Sequence, residues 1–426
     1  MNFRKHFIGV ALLLASFFAS AQPAELMEAA SKGDAEAQFQ VGARLLVGKG
    51  AARNEEEAVK WLKRAADQGH LHSQFALGVA YEEGKGIAPD PAEAVKWYRL
   101  AADQGQEEAQ FRLGVMLAAG ATGSPNLTES SMWFRRAAER GHVNAQYQLA
   151  LALEDGRGVT QSLQESVAWY RRAAEKGHPA AQANLGFMLD EGLGVTADHS
   201  EAVKWYRTAA EQGIDNAQNR LAMSLAAGRG IARNEEESAT WFLRAAKQGH
   251  KAAQYNLAVA YLIGRGVAQN DLEAATWLRQ AAEQGHVKAQ HNLGAMLANG
   301  RGLEQNHEEA LKWFLRAAEQ GDAAAQFSVG LMHSDGQGMP PNQAKAVDWF
   351  RRAAEQGHAP AQLHLGVSLA KGEGVPQDWK TSYFWLYLAA VKDRRGKAYR
   401  DFVAKQLTPE EVSEVQAKAS AWKPRA

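Results

Sequence analysis

A glutamine recurs ten times in this chain at a constant spacing of 36 residues, without insertion or deletion between copies. A tryptophan follows every one of these glutamines at one fixed distance, so that ten of the twelve tryptophans occupy a single repeat position. Self-similarity at one period is typical of solenoids, in which a unit buries its apolar surface only against its neighbours. The 426 residues therefore predict a stack of equivalent units, although the length alone would suggest two or three globular domains. The repeated glutamines are Gln38, Gln74, Gln110, Gln146, Gln182, Gln218, Gln254, Gln290, Gln326 and Gln362.

Glycines and polar residues divide each unit into two helices. A glycine stands ten residues after every repeated glutamine, beginning with Gly48, and a further glycine such as Gly69 ends the unit. Between them, Asn, Asp or Ser opens the second half of every copy, and eight of the ten copies have Glu three residues later. This pattern predicts an N-capped second helix with a capping box, in which each cap contributes roughly 1 kcal/mol. The expected N-caps are Asn54, Asp90, Asn126, Ser162, Asp198, Asn234, Asn270, Asn306, Asn342 and Asp378.

The first helix of a unit is apolar or small around nearly its whole circumference, as Leu185, Phe187 and Met188 illustrate, so it must lie between neighbouring helices. We expect an all-α chain that forms a right-handed α/α superhelical solenoid of about ten 36-residue two-helix repeats. The repeated glutamine is expected to be a buried amide that bonds a neighbouring loop or helix end. The expected boundaries are a partial helix over 22–34, ten repeats over 35–394 and a C-terminal helical cap over 395–426.

One copy, from Ala289 to Gly321, carries the full pattern Ala-Gln-x-x-Leu-Gly, Gly-x-Gly, Asn-x-x-Glu-Ala-x-x-Trp-Phe and Ala-Ala-x-Gln-Gly. This pattern resembles the Sel-one-like repeat (SLR) family, whose members are related to tetratricopeptide repeats. The resemblance spans Ala35 to about Ala390. It implies an adaptor or scaffold that binds other proteins, often in the bacterial periplasm or at the envelope, and that has no chemistry of its own.

The N-terminus has the layout of a secretory signal peptide. Two basic residues precede an apolar stretch from Phe7 to Phe18, and the segment 1–21 ends in Ala-Ser-Ala. Because the chain also contains no cysteine, we expect a periplasmic or secreted protein without a lipid anchor. The balance of 48 basic and 48 acidic residues gives no reason to expect nucleic acid as a partner. No later apolar run is long enough to predict membrane insertion.

Side chains with catalytic or metal-binding potential occur, but their spacing argues against both roles. Six of the thirteen histidines follow the glycine that ends a unit, and equivalent positions in neighbouring repeats lie roughly 10 Å apart, too far to share a zinc ion. His333 replaces a core Leu or Tyr and is expected to be a satisfied polar core residue. We therefore expect no metal and no cofactor. The six histidines are His70, His142, His178, His250, His286 and His358.

Two serine–lysine pairs match the Ser-x-x-Lys of penicillin-recognising enzymes. They are Ser368 with Lys371 and Ser420 with Lys423, and neither is accompanied by the Ser-Asp-Asn or Lys-Thr-Gly sequence that completes such a site. Some cysteine-rich SLR proteins carry a β-lactamase label, but this chain lacks their cysteines. A β-lactamase-like hydrolase is therefore the least favoured alternative, and we expect that the protein is not an enzyme.

Two residues after each repeated glutamine, the first helix is mostly polar at a position for which packing has no use. In two-helix solenoids the first helices line the concave face, so these side chains should form a row inside a groove. Amide side chains can bond both N–H and C=O of an extended peptide, and arginine can hold a carboxylate in bidentate fashion. The row predicts binding of a partner protein or extended peptide, and a solvated stripe without a ligand is the alternative. The expected partner-binding residues are Arg112, Gln148, Asn184, Arg220, Asn256 and Asn292.

A rival class of function is purely structural. The solenoid could be a spacer that self-associates through its ends, and apolar side chains near the C-terminus, including Trp379, Phe384 and Trp422, are the candidates for such contacts. Concentration-dependent self-association would distinguish this class from a partner-binding scaffold.

Overall fold

The computed structural model describes residues 23–48, 52–391 and 393–425, and this part of the chain forms 23 α-helices and no strand. The segment 1–21, which the sequence predicts to be a signal peptide, lies outside the described residues. The first helix of each repeat is called an A helix and the second a B helix. Together they confirm the all-α architecture of ten two-helix repeats.

The A helices are α2 (Ala35–Val47), α4 (Leu71–Glu83), α6 (Glu107–Ala119), α8 (Val143–Asp155), α10 (Pro179–Glu191), α12 (Asp215–Ala227), α14 (Lys251–Ile263), α16 (Val287–Asn299), α18 (Ala323–Asp335) and α20 (Ala359–Lys371). The B helices are α3 (Glu55–Asp67), α5 (Pro91–Asp103), α7 (Leu127–Glu139), α9 (Leu163–Glu175), α11 (His199–Glu211), α13 (Glu235–Lys247), α15 (Asp271–Glu283), α17 (His307–Glu319), α19 (Gln343–Glu355) and α21 (Trp379–Ala389). Outside the repeats lie α1 (Pro23–Ser31), α22 (Arg394–Ala404) and α23 (Pro409–Ala421).

The helices belong to two compact units, Met1–Gln212 and Gly213–Ala426. In the first unit, every two helices that follow each other in the chain, from α1 to α11, pack against each other. The second unit is built in the same way from α12 to α21, and both α22 and α23 pack on α21. Within each unit, a repeat therefore buries its apolar surface against its chain neighbours, as in a solenoid.

Glycine ends every A helix because the backbone there is left-handed. At Gly84, for example, φ is 69°, a value that most side chains disfavour. The second glycine of the turn has a different cause. A Cβ on Gly86 would lie 2.2 Å from the carbonyl oxygen of Glu55, the first residue of the preceding B helix. The glycine pair thus lets the turn of one repeat lie directly on the helix N-terminus of the repeat before it.

The ten expected N-caps of the B helices are confirmed, because each Asn, Asp or Ser side chain accepts a hydrogen bond from a backbone N–H of the first turn. The capping box expected at these helices is wrong. The backbone N–H of Asn54 donates to the carbonyl oxygen of Leu45 in the A helix at 3.0 Å, and the nine other caps do the same. The backbone N–H that a capping-box glutamate would bond is therefore already used. Within the described residues, a capping box forms at Thr408 and Glu411 of α23.

The glutamate three residues after the N-cap instead joins successive B helices. Glu201 in α11 accepts the indole Nε1–H of Trp205 at 3.1 Å and is ion-paired with Arg171 of the preceding B helix α9. The hydrogen bond from Arg171 holds the pKa of Glu201 below its usual range. Each such trio ties one repeat to the next. Equivalent trios are Arg99–Glu129–Trp133, Arg135–Glu165–Trp169 and Arg279–Glu309–Trp313.

The A and B helices of one repeat approach each other closely at a small residue. A Cβ on Gly78 in α4 would lie 2.6 Å from the ring of Tyr98 in α5, so that no larger residue fits without a shift. In the next repeat, the hydroxyl of Ser130 donates to the carbonyl oxygen of Gly114 at 2.6 Å. A small residue at this position of the A helix therefore allows the two helices of a repeat to approach closely.

The repeated glutamine connects the end of one repeat to the beginning of the next, as expected for a buried amide. Gln74 donates from Nε2 to the carbonyl oxygen of Ala66 at 3.2 Å, in the last turn of the preceding B helix. Its Oε1 accepts a hydrogen bond of 2.8 Å from Gln104, the C-cap of the following B helix. Both polar atoms of the buried side chain are thereby satisfied.

At two places the C-cap residue is a cation instead of glutamine. Arg140 caps α7 and Lys176 caps α9, and neither donates to the neighbouring glutamine. As a result, the Oε1 atoms of Gln110 and Gln146 are buried without a hydrogen-bond partner. Such an unmade hydrogen bond costs about 1–3 kcal/mol.

Candidate functional site

All six residues expected to bind a partner lie on A helices and are half-buried. The first unit holds three of them, and the second unit holds the other three. Their surroundings differ, because internal hydrogen bonds and ion pairs engage some of these side chains and leave others free. The residues of the first unit are Arg112, Gln148 and Asn184, and those of the second are Arg220, Asn256 and Asn292.

Arg112 is held by two carboxylates of its own unit. Its Nη1 lies 2.8 Å from Glu82 of α4 and its Nε lies 3.0 Å from Glu108 of α6, and the side chain is only 11% exposed. The Tyr98 hydroxyl also donates to Glu82. A ligand carboxylate would therefore have to displace internal ion pairs before it could bind Arg112.

The same network continues to a histidine of the next repeat. Nε2 of His142 lies 3.0 Å from Glu108, while its Nδ1 accepts the backbone N–H of Ala145 at 3.1 Å. Burial raises the pKa of Glu108, but the hydrogen bond from His142 and the charge of Arg112 outweigh it, so the net shift is downward. Glu82, Arg112, Glu108 and His142 thus form one continuous series of polar contacts within the first unit.

The amides of the first unit are less constrained. Nδ2 of Asn184 lies 3.0 Å from the Tyr170 hydroxyl, which donates to Glu154 at 2.5 Å. Burial raises the pKa of Tyr170, so the phenol stays protonated as this bond requires. Gln148 makes no side-chain hydrogen bond within the described residues and is available to a ligand.

In the second unit, Asn256 lies beside an open cavity of about 340 Å³ between α12, α13 and α14. Its Nδ2 donates to Oδ1 of Asn219 at 3.2 Å. Two apolar side chains at the cavity are strongly exposed, Met223 at 50% and Ile263 at 55%. Asn292 on α16 makes no side-chain hydrogen bond within the described residues, and Arg220 on α12 is half-buried.

The C-terminal ends of the A helices differ in charge from repeat to repeat. In α8 and α10 the positions eight and nine residues after the glutamine are acidic, whereas in α12 and α14 they carry no charge. Sequence reasoning missed Met223 and Ile263 because apolar residues on an apolar helix resemble core. The absence of acids at these two helix ends is a partial signal, because the ends of α2 and α6 lack acids as well. The acidic pairs are Glu154–Asp155 and Asp190–Glu191, and their uncharged counterparts are Ala226–Ala227 and Leu262–Ile263.

The six histidines are N-caps of A helices. In each, Nδ1 accepts a hydrogen bond from a backbone N–H of the first turn, as His178 does from Ala181 at 3.1 Å. The ring of His178 stacks on Tyr147 of the preceding A helix at 4.4 Å. Burial lowers the pKa of His178, which favours the neutral ring that can accept this bond. Within residues 23–48, 52–391 and 393–425, no three His, Cys, Asp or Glu side chains are placed to hold a metal.

The remaining sequence candidates are not arranged for catalysis. Ser368 is buried in α20, while Lys371 is exposed and pairs with Glu373 at 3.5 Å. Ser420 and Lys423 are both exposed at the C-terminal end of α23 and beyond it. Neither lysine is hydrogen-bonded to its serine in the described part of the chain, as a Ser-x-x-Lys site would require.

His333 does not behave as the satisfied core residue that was expected. It is half-buried, and its Nδ1 is a buried atom without a hydrogen-bond partner in the described chain. Burial lowers the pKa of His333, so the ring remains neutral in this place. The expectation of a fully satisfied side chain was wrong because no group within the described residues forms a hydrogen bond with Nδ1.

The apolar residues proposed for end contacts mostly pack inside the C-terminal part of the second unit. The ring of Trp422 lies 5.9 Å from that of Trp385, and Trp379 and Phe384 are half-buried. On α22, the side chain of Tyr399 is 44% exposed and that of Phe402 is 55% exposed. Both lie beside an apolar cavity of about 490 Å³.

The helical hairpins, the glycine turns and the amide links define a two-helix repeat protein of the α-solenoid class, in which the repeated residues hold the stack together. The chain belongs to the Sel1 repeat family. The family model matches ten segments, namely 35–70, 71–106, 107–142, 143–178, 179–214, 215–250, 251–286, 287–322, 323–358 and 359–390. Proteins of this family are generally protein-interaction scaffolds.

Among solved structures, the chain is similar to c5321, described as a protective antigen present in uropathogenic Escherichia coli strains displaying an SLR fold. The two chains are 31% identical with a TM-score of 0.66, and the match covers 94% of each. It is also similar to a Sel1 repeat protein from Oxalobacter formigenes, at 33% identity and a TM-score of 0.57, over 74% of this chain and 90% of that one. No curated protein sequence matches the chain.

The described helices were also compared with the length of a bilayer. None of them combines the length and the apolar character that a transmembrane span requires.

Proposed function

We propose that this protein is a non-enzymatic interaction scaffold that binds a partner protein or an extended peptide on the face of its A helices. The proposal rests on the observation that two sets of residues have different roles within each repeat. The repeated glutamine, tryptophan and capping residues are used in contacts between helices, whereas the residue two positions after the glutamine differs from repeat to repeat and is partly exposed in eight of the ten copies. Gln148, Asn256 and Asn292 retain amide groups that can bond a peptide backbone.

The absence of enzymatic activity is part of the proposal, and the hydrogen bonding of the titratable groups supports it. A histidine that acts as a general base needs a free ring nitrogen next to its substrate. In the six capping histidines Nδ1 is already bonded to the backbone, and in His142 Nε2 is also bonded to Glu108. Nucleic acid is not proposed as a partner, because the chain carries no net charge.

We also place the protein in the bacterial periplasm or outside the cell. The layout of residues 1–21 and the lack of cysteine support this location. The similar protein c5321 is described as a protective antigen.

Replacement of Gln148, Asn256 and Asn292 by alanine in the full-length mature chain tests the scaffold function. We expect the triple variant to lose capture of its partner from a bacterial envelope extract, because three amides that can bond a backbone are removed. The melting temperature should stay within a few degrees of the parent, since these side chains contribute few internal hydrogen bonds.

A matched control carries three alanine substitutions at exposed polar positions of B helices, at Gln164, Lys204 and Lys312. This variant should capture the partner as the parent does. Equal capture by both triple variants would contradict binding on the A-helix face.

Self-association is a second candidate function, and the exposed rings of Tyr399 and Phe402 favour it. If the protein is a spacer that joins copies through this end, the molar mass from light scattering should rise with concentration. Substitution of Phe402 by Glu should then abolish the rise, because a carboxylate cannot be buried in an apolar contact at low cost.

A further inference from the structure

We infer that the cavity between α12 and α14 is an anchor site for an extended peptide segment of the partner. One aliphatic or methionine side chain of that segment enters the cavity, and an acidic residue beside it lies against Arg265. This inference rests on the proposed scaffold function and specifies the partner chemistry that one site selects.

The cavity supplies an apolar surface that the fold itself does not cover. Its volume is about 340 Å³, and Met223, Phe242, Val259 and Ile263 contribute to its wall. Met223 and Ile263 are half or more exposed, so an entering side chain removes apolar surface of both partners from water. Removal of this apolar surface from water favours binding in proportion to the area buried.

Asn256 supplies the groups that recognise a peptide backbone. One Nδ2–H is used by Asn219, and the second Nδ2–H and the Oδ1 make no hydrogen bond within the described residues. These two groups lie at the cavity wall and match the C=O and N–H that an extended chain presents. An amide at this place therefore favours an extended segment, since a helical segment has its backbone groups already paired.

The charges at the cavity favour an acidic neighbour of the anchor residue. Glu235 is paired with Arg233 and lies 3.3 Å from Arg265, so two guanidinium groups share one carboxylate. The trio retains one net positive charge, and the side chain of Arg265 is 50% exposed at the cavity wall. A carboxylate of the partner complements this charge and can bind Arg265 in bidentate fashion.

Two helix ends of the first unit show how a charge at this position would exclude an apolar anchor residue. Asp155 and Glu191 occupy the position of Ile263 in α8 and α10. A carboxylate there would have to be desolvated by an apolar side chain, which is unfavourable. Leu, Ile or Met is therefore selected beside α14 and is not selected beside α8 or α10.

The test is selection of binding peptides from a random library of dodecapeptides displayed on phage, with the full-length mature protein as bait. We expect enrichment of peptides in which Leu, Ile or Met adjoins Asp or Glu. One enriched peptide is then synthesised with a fluorophore, and its affinity for protein variants is measured by fluorescence anisotropy.

Ile263→Glu should weaken binding of this peptide at least tenfold, and the fold accepts the change because Glu191 occupies the same position in α10. Met223→Ala, for which Ala295 is the precedent in α16, should also weaken it. Arg265→Glu should weaken binding of peptides that have Asp or Glu beside the anchor residue. The same variant should bind peptides that have Lys at that position. Leu272→Glu is the control, since Leu272 is 61% exposed and does not line the cavity.

The outcomes separate the two levels of the inference. If the peptides bind and the Gln148, Asn256 and Asn292 triple variant loses them, but Ile263→Glu and Met223→Ala bind as the parent does, the anchor site is overturned and the scaffold function stands. If no peptide is enriched over an unrelated bait, the anchor site is overturned, and the scaffold function then depends on the capture of a folded partner from envelope extract.

Discussion

Repeated glutamines such as Gln74 satisfy the buried amide through two neighbouring helices, and the repeats in which one contact is missing show what the amide requires. Gln104 bonds both the carbonyl oxygen of Gly69 at 3.0 Å and the Oε1 of Gln74 at 2.8 Å. Lys176, at the equivalent place, reaches the carbonyl oxygen of Gly141 at 2.8 Å but leaves Gln146 with an unpaired Oε1. A glutamine at this position thus donates two hydrogen bonds, whereas the lysine donates one.

Substitution of Lys176 by Gln should therefore stabilise the protein. The new amide can keep the bond to Gly141 and also donate to Gln146, and a satisfied buried acceptor is worth about 1 kcal/mol or more. Arg140→Gln should act in the same way on Gln110. Urea denaturation of each variant would measure the change in the free energy of unfolding.

Lys176→Ala is the control, because alanine removes the charge without supplying a donor to Gln146. A gain of equal size in the alanine variant would show that the unpaired Oε1 is not the cause.

At the scale of the helix, two recurring arrangements stabilise the helix ends. They are the capping histidines of the A helices and the trios of Arg, Glu and Trp that join successive B helices. The histidine cap works only when Nδ1 is unprotonated, since Nδ1 must accept the backbone N–H. The trio needs an arginine on the B helix before its glutamate. Both requirements can be tested where the chain itself offers a different residue at the same position.

Acid should weaken the histidine caps. Burial lowers the pKa of His178 below its ordinary value of 6.5, so the unfolded chain binds this proton more readily than the folded chain. The stability that the cap contributes is therefore complete above about pH 6.5 and is lost as the pH falls through the lower pKa of the folded state. Chemical denaturation between pH 7.5 and 5, in buffers chosen at about half-unit steps, measures this loss.

His178→Asp provides the comparison, because Asp34 and Asp322 cap α2 and α18 at the same position. A carboxylate continues to accept the hydrogen bond from the backbone well below pH 6.5. Over this pH range, the free energy of unfolding of the variant should therefore fall by roughly 1 kcal/mol less than that of the parent. Parallel pH profiles for the two proteins would be incompatible with a titrating cap.

One trio is incomplete, and its repair should stabilise the second unit. Leu243 stands in α13 where an arginine would reach Glu273 of α15, and the Nε1 of Trp277 is buried without a hydrogen-bond partner in the described chain. Leu243→Arg should recreate the ion pair and orient Glu273 toward Trp277, with a gain of about 0.5–1 kcal/mol. Thermal melting against parent and against Leu243→Ala would check the gain, which the alanine variant should lack.

At the scale of the whole molecule, repetition made most of the fold predictable. Ten copies in one register identify helix ends, caps and buried positions together, because each copy repeats the same local requirement. The proposed partner-binding face was harder to predict from the sequence. Arg112 looked free, but its partners Glu82 and Glu108 become visible only when helices of different repeats are placed side by side. Ile263 looked like a core residue because it lies on a helix that is apolar on most sides.

The repeat architecture also predicts how the chain tolerates shortening. Because a repeat contacts mainly its neighbours, removal of residues 287–322 should leave a folded protein that has lost two helices. Gln326 would then meet the carbonyl oxygen of Ala282 in place of Ala318, since Gln290 already bonds Ala282 in the same way. Circular dichroism should show proportionally less helix and a cooperative melt.

Removal of residues 287–304 is the matched half-repeat deletion. It takes away α16 and its turn, so that two B helices follow each other without the A helix that buries the apolar face of α17. We expect this shorter deletion to be the more damaging one, with a large fall in melting temperature, although it removes half as many residues. If the full-repeat deletion were equally damaging, the repeats would not be the independent packing units that the 36-residue period implies.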